Sequence, residues 1–147
     1  MEIRQKFLIS HRGNINGPDP KKENSIDYIL KAIDLGYDVE VDVWFINNSF
    51  YLGHDKPQYK INYDFLINDK FWCHAKNIDA LIKMSNYPIH YFWHDKDDFT
   101  LTSKNYIWAY PSKNINKNTI IVLPEIYNIN IFEYKGICSD YIIKYAK

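Results

Sequence analysis

Three things are scarce in this chain. Cysteine occurs only at Cys73 and Cys138 in 147 residues, too few for a disulfide framework. An excess charge of either sign is missing: 18 Lys and Arg balance 18 Asp and Glu, a formal net charge of zero. A general nucleic-acid or anionic-membrane binder carries a basic excess, so no nucleic-acid partner is expected. Long apolar runs are also absent, and none approaches the length of a membrane span. The opening MEIRQKFLISHRG holds only a short apolar run, Phe7-Leu8-Ile9, which predicts no signal peptide. No linker, low-complexity tract or convincing internal repeat divides the chain. The expectation is one cytoplasmic domain over residues 1–147.

What is present suffices for a core. Hydrophobic residues make up 46% of the chain and aromatics 17%, with 13 tyrosines whose hydroxyls need partners. The stretch Asp38 to Asp55 stands out. Val39, Val41 and Val43 alternate with Glu40 and Asp42, a period of two that predicts a strand. The two carboxylates then share a face, roughly 7 Å apart. Such a pair is tolerated when a cation sits between the acids or solvent reaches them. A polar turn at Asn47-Asn48-Ser49 leads into a returning strand that ends at His54-Asp55.

The rest of the chain reads as short strands separated by short helices or loops. Phe7 to Ser10 is a strand ending at His11-Arg12-Gly13, and Asn14 to Lys22 is a loop. Ile26, Ile29, Leu30 and Ile33 recur at helical spacing, with Asn24 or Ser25 as cap and Gly36 as stop. Strand, loop, helix, strand predicts a parallel pair with a crossover. Tyr63 to Ile67 reads as a helical turn or two, Phe71 to Ala75 as a strand and Ile78 to Met84 as a helix. Ile89 to Trp93 and Tyr106 to Tyr110 read as strands, and Asp97 to Ser103 as a loop or brief helix. Thr119 to Leu123 and Gly136 to Ile142 complete eight strand-like runs, with Asn128 to Tyr134 ambiguous. His11, Lys76, His94 and Glu125 each follow an apolar run directly. In a parallel α/β barrel such ends converge on one face. His90 starts its strand and reads as a core or surface residue.

The set His11-Arg12-Gly13, Glu23-Asn24-Ser25, Glu40-x-Asp42 and His54-Asp55 resembles the glycerophosphodiester phosphodiesterase family, within the phospholipase-C-like phosphodiesterases. The four motifs fall in the family's order over residues 7–55. Further on, His74-Ala75-Lys76 stands where the family has Glu-x-Lys, and Cys138-Ser139-Asp140-Tyr141 resembles its terminal Thr-Asp-Tyr. The resemblance implies a compact, trimmed TIM-type (β/α) barrel with short helices. It implies a divalent metal and cleavage of a small phosphodiester by two histidines. His11 and His54 become the general acid/base pair, and Glu40 and Asp42 the metal ligands. Arg12 and Lys76 contact phosphate, Glu23 lies near metal and substrate, and Asn24 fixes the local loop.

Two departures from the family bear on these expectations. His74 replaces a ligating glutamate. Mg²⁺ or Ca²⁺ is the first expectation, and Mn²⁺ or Zn²⁺ follows if His74 is a ligand; otherwise Glu125 or Asp95 supplies a third carboxylate. The chain is also short, against about 250 residues for a barrel of this type. An incomplete barrel would expose apolar surface that a homodimer could cover. The hairpin poses its own condition. A two-residue loop at Asn47-Asn48 pairs Asp42 with Gly53 and turns His54 to the valine face. An odd-length loop or a bulge is therefore expected, and a regular two-residue hairpin with His54 on the valine face would make His94 the better acid/base candidate. The rival readings are a phosphate-ligand-binding module without turnover and an unrelated metal-dependent hydrolase.

Overall fold

The computed structural model describes residues 6–111, 116–127 and 134–146. Its organising element is β2, Asp38–Ile46. Val39, Val41 and Val43 are wholly buried on one face of β2, among Ile29, Ala32, Ala80 and Met84. Those four residues belong to α1 (Ile26–Asp34) and α2 (Ile78–Met84). Glu40 and Asp42 take the opposite face. A one-residue slip would exchange three buried valines, each worth about 2 kcal/mol, for two carboxylates. Burial therefore fixes which way the acids point.

Strands surround β2 on both edges. One edge pairs in parallel with β1 (Phe7–His11) through Ile9↔Asp38 and His11↔Glu40. Further along, the chain pairs with β3 (Ser49–Leu52), antiparallel, and β3 with β4 (Tyr59–Ile61). The remaining partner is β5 (Phe71–Ala75), parallel, with Glu40↔Trp72 and Asp42↔His74. β5 pairs with β6 (Tyr91–Phe92). Beyond β1 lie β10 (Gly136–Ser139), β9 (Thr119–Val122) and β8 (Ile107–Ala109), all parallel, then β7 (Phe99–Leu101), antiparallel. The inner face of the curl is filled by Ile9, Trp72, Phe92, Trp108, Ile120, Val122 and Cys138. Above this apolar plug, at the carboxyl ends of the strands, the polar side chains gather.

A trimmed TIM-type (β/α) barrel does not describe this architecture. The sheet is mixed, ten-stranded and curled into a half-barrel. Among the described residues only three short α-helices occur: α1, α2 and α3 (Pro124–Tyr127). The reason lies in the connections. A two-residue turn after β2 admits only an antiparallel return, never a helical crossover. β4 and β7 extend the sheet in the same antiparallel way. No ladder joins β6 to β8 among the described residues. Ser103 bridges there instead: its N–H donates to the Tyr91 carbonyl (2.8 Å) and its Oγ accepts from the Tyr91 N–H (2.9 Å).

The helices show how local choices serve the site. Asn77 caps α2 by accepting from the Ala80 N–H (3.0 Å), and its amide also bonds Phe45 of β2. Ser25 occupies the cap position of α1 without a side-chain bond, and neighbouring Asn24 is bonded to Asp42. Phe99–Leu101, read from sequence as a loop or brief helix, is an edge strand with Phe99 and Leu101 exposed. Of the ambiguous stretch Asn128 to Tyr134, residues 128–133 lie outside the described residues.

His90 is a core histidine, 3% exposed. Its Nε2 lies 2.7 Å from Thr102 Oγ1 and its ring packs 4.3 Å from Trp72. Burial lowers its pKa to about 4. The folded protein keeps it neutral, whereas the unfolded chain protonates it below about 6.5. Its contribution is complete above that pH and is lost as pH falls toward about 4. Urea midpoints of the wild type should therefore fall over this window more steeply than those of His90→Gln. Parallel pH profiles would contradict this.

Candidate functional site

The site is built first from the turn after β1. Arg12 adopts a left-handed backbone (φ +59°) and Gly13 follows at φ +92°. A Cβ on Gly13 would sit 2.6 Å from Tyr28 Cδ1, so the chain can pass this close to α1 only with glycine there. The turn points His11 and Arg12 into the mouth of the curl. His11 Nδ1–H donates to Asp140 Oδ1 (2.7 Å). Asp140 also accepts from Asn14 Nδ2 (2.9 Å), and Asn14 Oδ1 accepts from the Tyr28 hydroxyl (2.8 Å). Burial alone would raise the Asp140 pKa, but the bond and charge of His11, then Asn14 and Arg12, hold it below the ordinary value. An ionised Asp140 keeps the hydrogen on Nδ1. His11 Nε2 is thereby turned inward, 3.7 Å from Glu40 Oε2.

Glu40 and Asp42 are 2% and 1% exposed. Asn24 clamps Asp42 from both sides: its Nδ2 donates to Oδ2 (2.8 Å), and its Oδ1 accepts from the Asp42 N–H (2.9 Å). Arg12 Nε lies 3.4 Å from the same Oδ2, while Arg12 Nη1 donates to Glu23 Oε1 (3.1 Å). Burial opposes ionisation of Asp42, but the bond and charge of His74, with Arg12 and Asn24, push its pKa below the usual carboxylate range. Glu40 goes the other way: burial and then the Asp42 charge raise its pKa well above the usual value. Two buried acids side by side do not ionise equally.

His74, level with Asp42 on β5, completes the cluster. Its Nε2–H donates to the His94 carbonyl (2.9 Å), and its ring stacks on Phe92 at 5.1 Å. Nδ1 then lies 3.3 Å from Asp42 Oδ1 and 3.8 Å from Glu40 Oε1. Ligand atoms of Glu40, Asp42 and His74 all fall within 4.8 Å of one another. Glu40 Oε2 is buried and has no hydrogen-bond partner. Two carboxylates, one of them with an orphaned oxygen, and an imidazole nitrogen suit one divalent ion. The three residues read as metal ligands from the sequence are the three the fold brings together.

The cluster lies in a cleft of about 180 Å³, lined also by His11, Arg12, His54, Lys76, His94 and Asp95. Lys76 sits just past β5, with its N–H donating to the Val43 carbonyl (2.8 Å). Ala75 faces the opposite side, against the helices. His94 stacks on Tyr110 (4.6 Å), and burial lowers its pKa. Glu125 is not at the cluster. It accepts from Ser139 Oγ (2.9 Å) and the Asp140 N–H (3.2 Å), so it fixes the turn that presents Asp140. It supplies no third carboxylate.

The route of His54 to the cleft differs from the expected one. The loop is a two-residue turn, with Asn47 (φ +50°) and Asn48 (φ +62°) both left-handed, and Ile46 pairs with Ser49. No odd-length loop or bulge is present between β2 and β3. The ladder instead stops at Leu52. The Gly53 N–H still donates to the Asp42 carbonyl (3.1 Å), but Gly53 then turns at φ +154°. That break in alternation frees His54 from the valine face. Its Nδ1 pairs with Asp55 Oδ1 at 2.7 Å, partly open to solvent. A Cβ on Gly53 would lie 2.0 Å from the Lys56 carbonyl oxygen. Gly53→Ala is therefore expected to destabilise the fold by about 2 kcal/mol, read as a fall in the urea midpoint. A change below about 0.5 kcal/mol, the range of an ordinary surface substitution, would show that this turn is not constrained.

Sequence reasoning did not assign Asp140, Asn14 or Tyr28 to the site. Asp140 lies in a motif that could be read, but its role depends on the β1–β10 register, Ser10↔Ser139. Comparison with protein-family models, curated proteins and solved structures finds no match.

Proposed function

We propose that this protein is a metal-dependent phosphodiesterase acting on small phosphodiesters. The observation that carries the reading is the position of His11. Its Nε2 is left free by the Asp140 bond and abuts a three-residue ligand cluster in a cleft that also holds Arg12 and Lys76. When bound, a divalent ion would hold a phosphoryl oxygen and neutralise charge that develops on it.

The chain's own residues supply the rest. Arg12, held by Glu23 and Asp42, presents a guanidinium to phosphate oxygens. Lys76 adds a second positive charge at the cleft. His11 and His54 exchange protons with the attacking and leaving oxygens, one accepting while the other donates. Asp140 is a positioning residue that keeps His11 in the productive tautomer, and Asp55 pairs with His54 at the exposed rim of the cleft. The metal ligands stay buried while the phosphate-facing groups line the opening.

Turnover of bis(p-nitrophenyl) phosphate tests this. Release of p-nitrophenol should require added Mg²⁺, Ca²⁺, Mn²⁺ or Zn²⁺ and stop on chelation. Tight phosphate binding without turnover under any of the four ions would point instead to a phosphate-binding module.

A further inference from the structure

We infer that the centre formed by Glu40, Asp42 and His74 takes a first-row transition ion, Mn²⁺ or Zn²⁺, through His74 Nδ1, in preference to Mg²⁺ or Ca²⁺. This rests on the same three residues holding the metal in the proposed reaction, and it narrows which metal they hold.

The tautomer of His74 is the first argument. The His94 carbonyl can only accept, so the hydrogen must be on His74 Nε2 (2.9 Å). Stacking on Phe92, with ring planes 5° apart, holds the ring in that plane. Nδ1 therefore faces the carboxylates, 3.3 Å from Asp42 Oδ1. The contact is favourable when a positive charge stands between ring and acids, either the proton that pairs His74 with Asp42 or a metal ion that displaces it. A ring nitrogen fixed by an outer hydrogen bond to a backbone carbonyl is the arrangement found in metal-bound histidines.

The oxygen supply is the second argument. Asp42 Oδ2 is occupied by the Asn24 amide (2.8 Å) and faced by Arg12 Nε (3.4 Å), which leaves Oδ1. Glu40 contributes Oε1 and the unpartnered Oε2. Glu125 is committed to Ser139 and Asp140. Ca²⁺ takes about six to eight oxygens; Glu40 and Asp42 leave three free, and Asp95, though it lines the cleft, is not in the ligand cluster. Mg²⁺ favours an all-oxygen octahedron, to which imidazole is a poor ligand. The Arg12 guanidinium further reduces the negative charge on which hard ions depend. Two carboxylate ligands, one nitrogen and an open side toward His11 match the three-ligand sites of catalytic transition metals.

Two measurements test the assignment, and neither reads turnover. Electron spin-echo modulation of the Mn²⁺-loaded wild type should show a directly coupled imidazole ¹⁴N. Its absence would overturn the assignment, whether or not any variant folds. Calorimetric titrations with Zn²⁺, Mn²⁺, Mg²⁺ and Ca²⁺ should show the Zn²⁺-over-Ca²⁺ preference falling at least tenfold in His74→Glu. An unchanged preference in a folded variant would also overturn it. A nitrogen-coupled metal in a protein that never turns over phosphodiesters would refute the proposed function and leave this assignment standing.

Discussion

Glu40→Gln should abolish metal-dependent turnover while leaving the fold intact. The substitution keeps the shape of the side chain and removes the charge that a cation requires. Loss of an outer hydrogen-bond partner of a metal ligand lowers affinity by about 10–100-fold, and loss of a ligand itself should reach at least the upper end. The metal-free protein should not suffer. Burial and Asp42 already raise the Glu40 pKa well above the ordinary carboxylate value, so a neutral amide replaces a group that resists ionisation. The amide would also relieve repulsion between two acids that are 2% and 1% exposed. The expected pattern is an unchanged or higher urea midpoint without metal, and a lost midpoint shift when metal is added. Unchanged metal affinity by calorimetry would remove Glu40 from the ligand set.

His11→Ala should lower turnover by about 10²–10⁴-fold, the usual contribution of a general acid or base. Metal affinity should stay within a few-fold, because His11 faces Glu40 at 3.7 Å and is not among the three clustered ligands. That separation distinguishes loss of proton transfer from loss of the site. Asp140→Asn offers a second reading of the same dyad. It keeps the hydrogen bond's length but removes the charge that holds the hydrogen on Nδ1. Its loss in rate should be smaller than that of His11→Ala, with an altered pH profile and an unchanged KM. A turnover rate indifferent to His11 would exclude it from the chemistry.

How much of this was legible in sequence varies from element to element. The alternation of Val39, Val41 and Val43 with Glu40 and Asp42 displayed a strand and the side its acids take, because burial on one face leaves no other register. Helical spacing placed α1 and α2 for the same reason. The closure of the sheet was not legible. Whether strands complete a barrel depends on connections and on residues far apart, and β7 carries exposed Phe99 and Leu101 with no burial pattern to reveal it. The hairpin shows a finer limit. The expected odd-length loop or bulge is absent and Gly53, not His54, lies across from Asp42, yet His54 still lines the cleft because Gly53 leaves the ladder. His74 could be seen as a candidate ligand, but not the His94 carbonyl that sets its tautomer. The His11–Asp140 bond joins residues 129 positions apart, and only the adjacency of β1 and β10 brings them together.

Anomalous diffraction from crystals soaked with Mn²⁺ and inorganic phosphate tests most directly whether a metal and a phosphate meet beside His11. The account predicts one anomalous peak at about 2.0–2.3 Å from a Glu40 oxygen, Asp42 Oδ1 and His74 Nδ1. A phosphate oxygen should lie on the open side of that ion, with the phosphate also touching Arg12 and facing His11 Nε2. No peak among these three residues, or a phosphate bound away from His11 and Arg12, would contradict it.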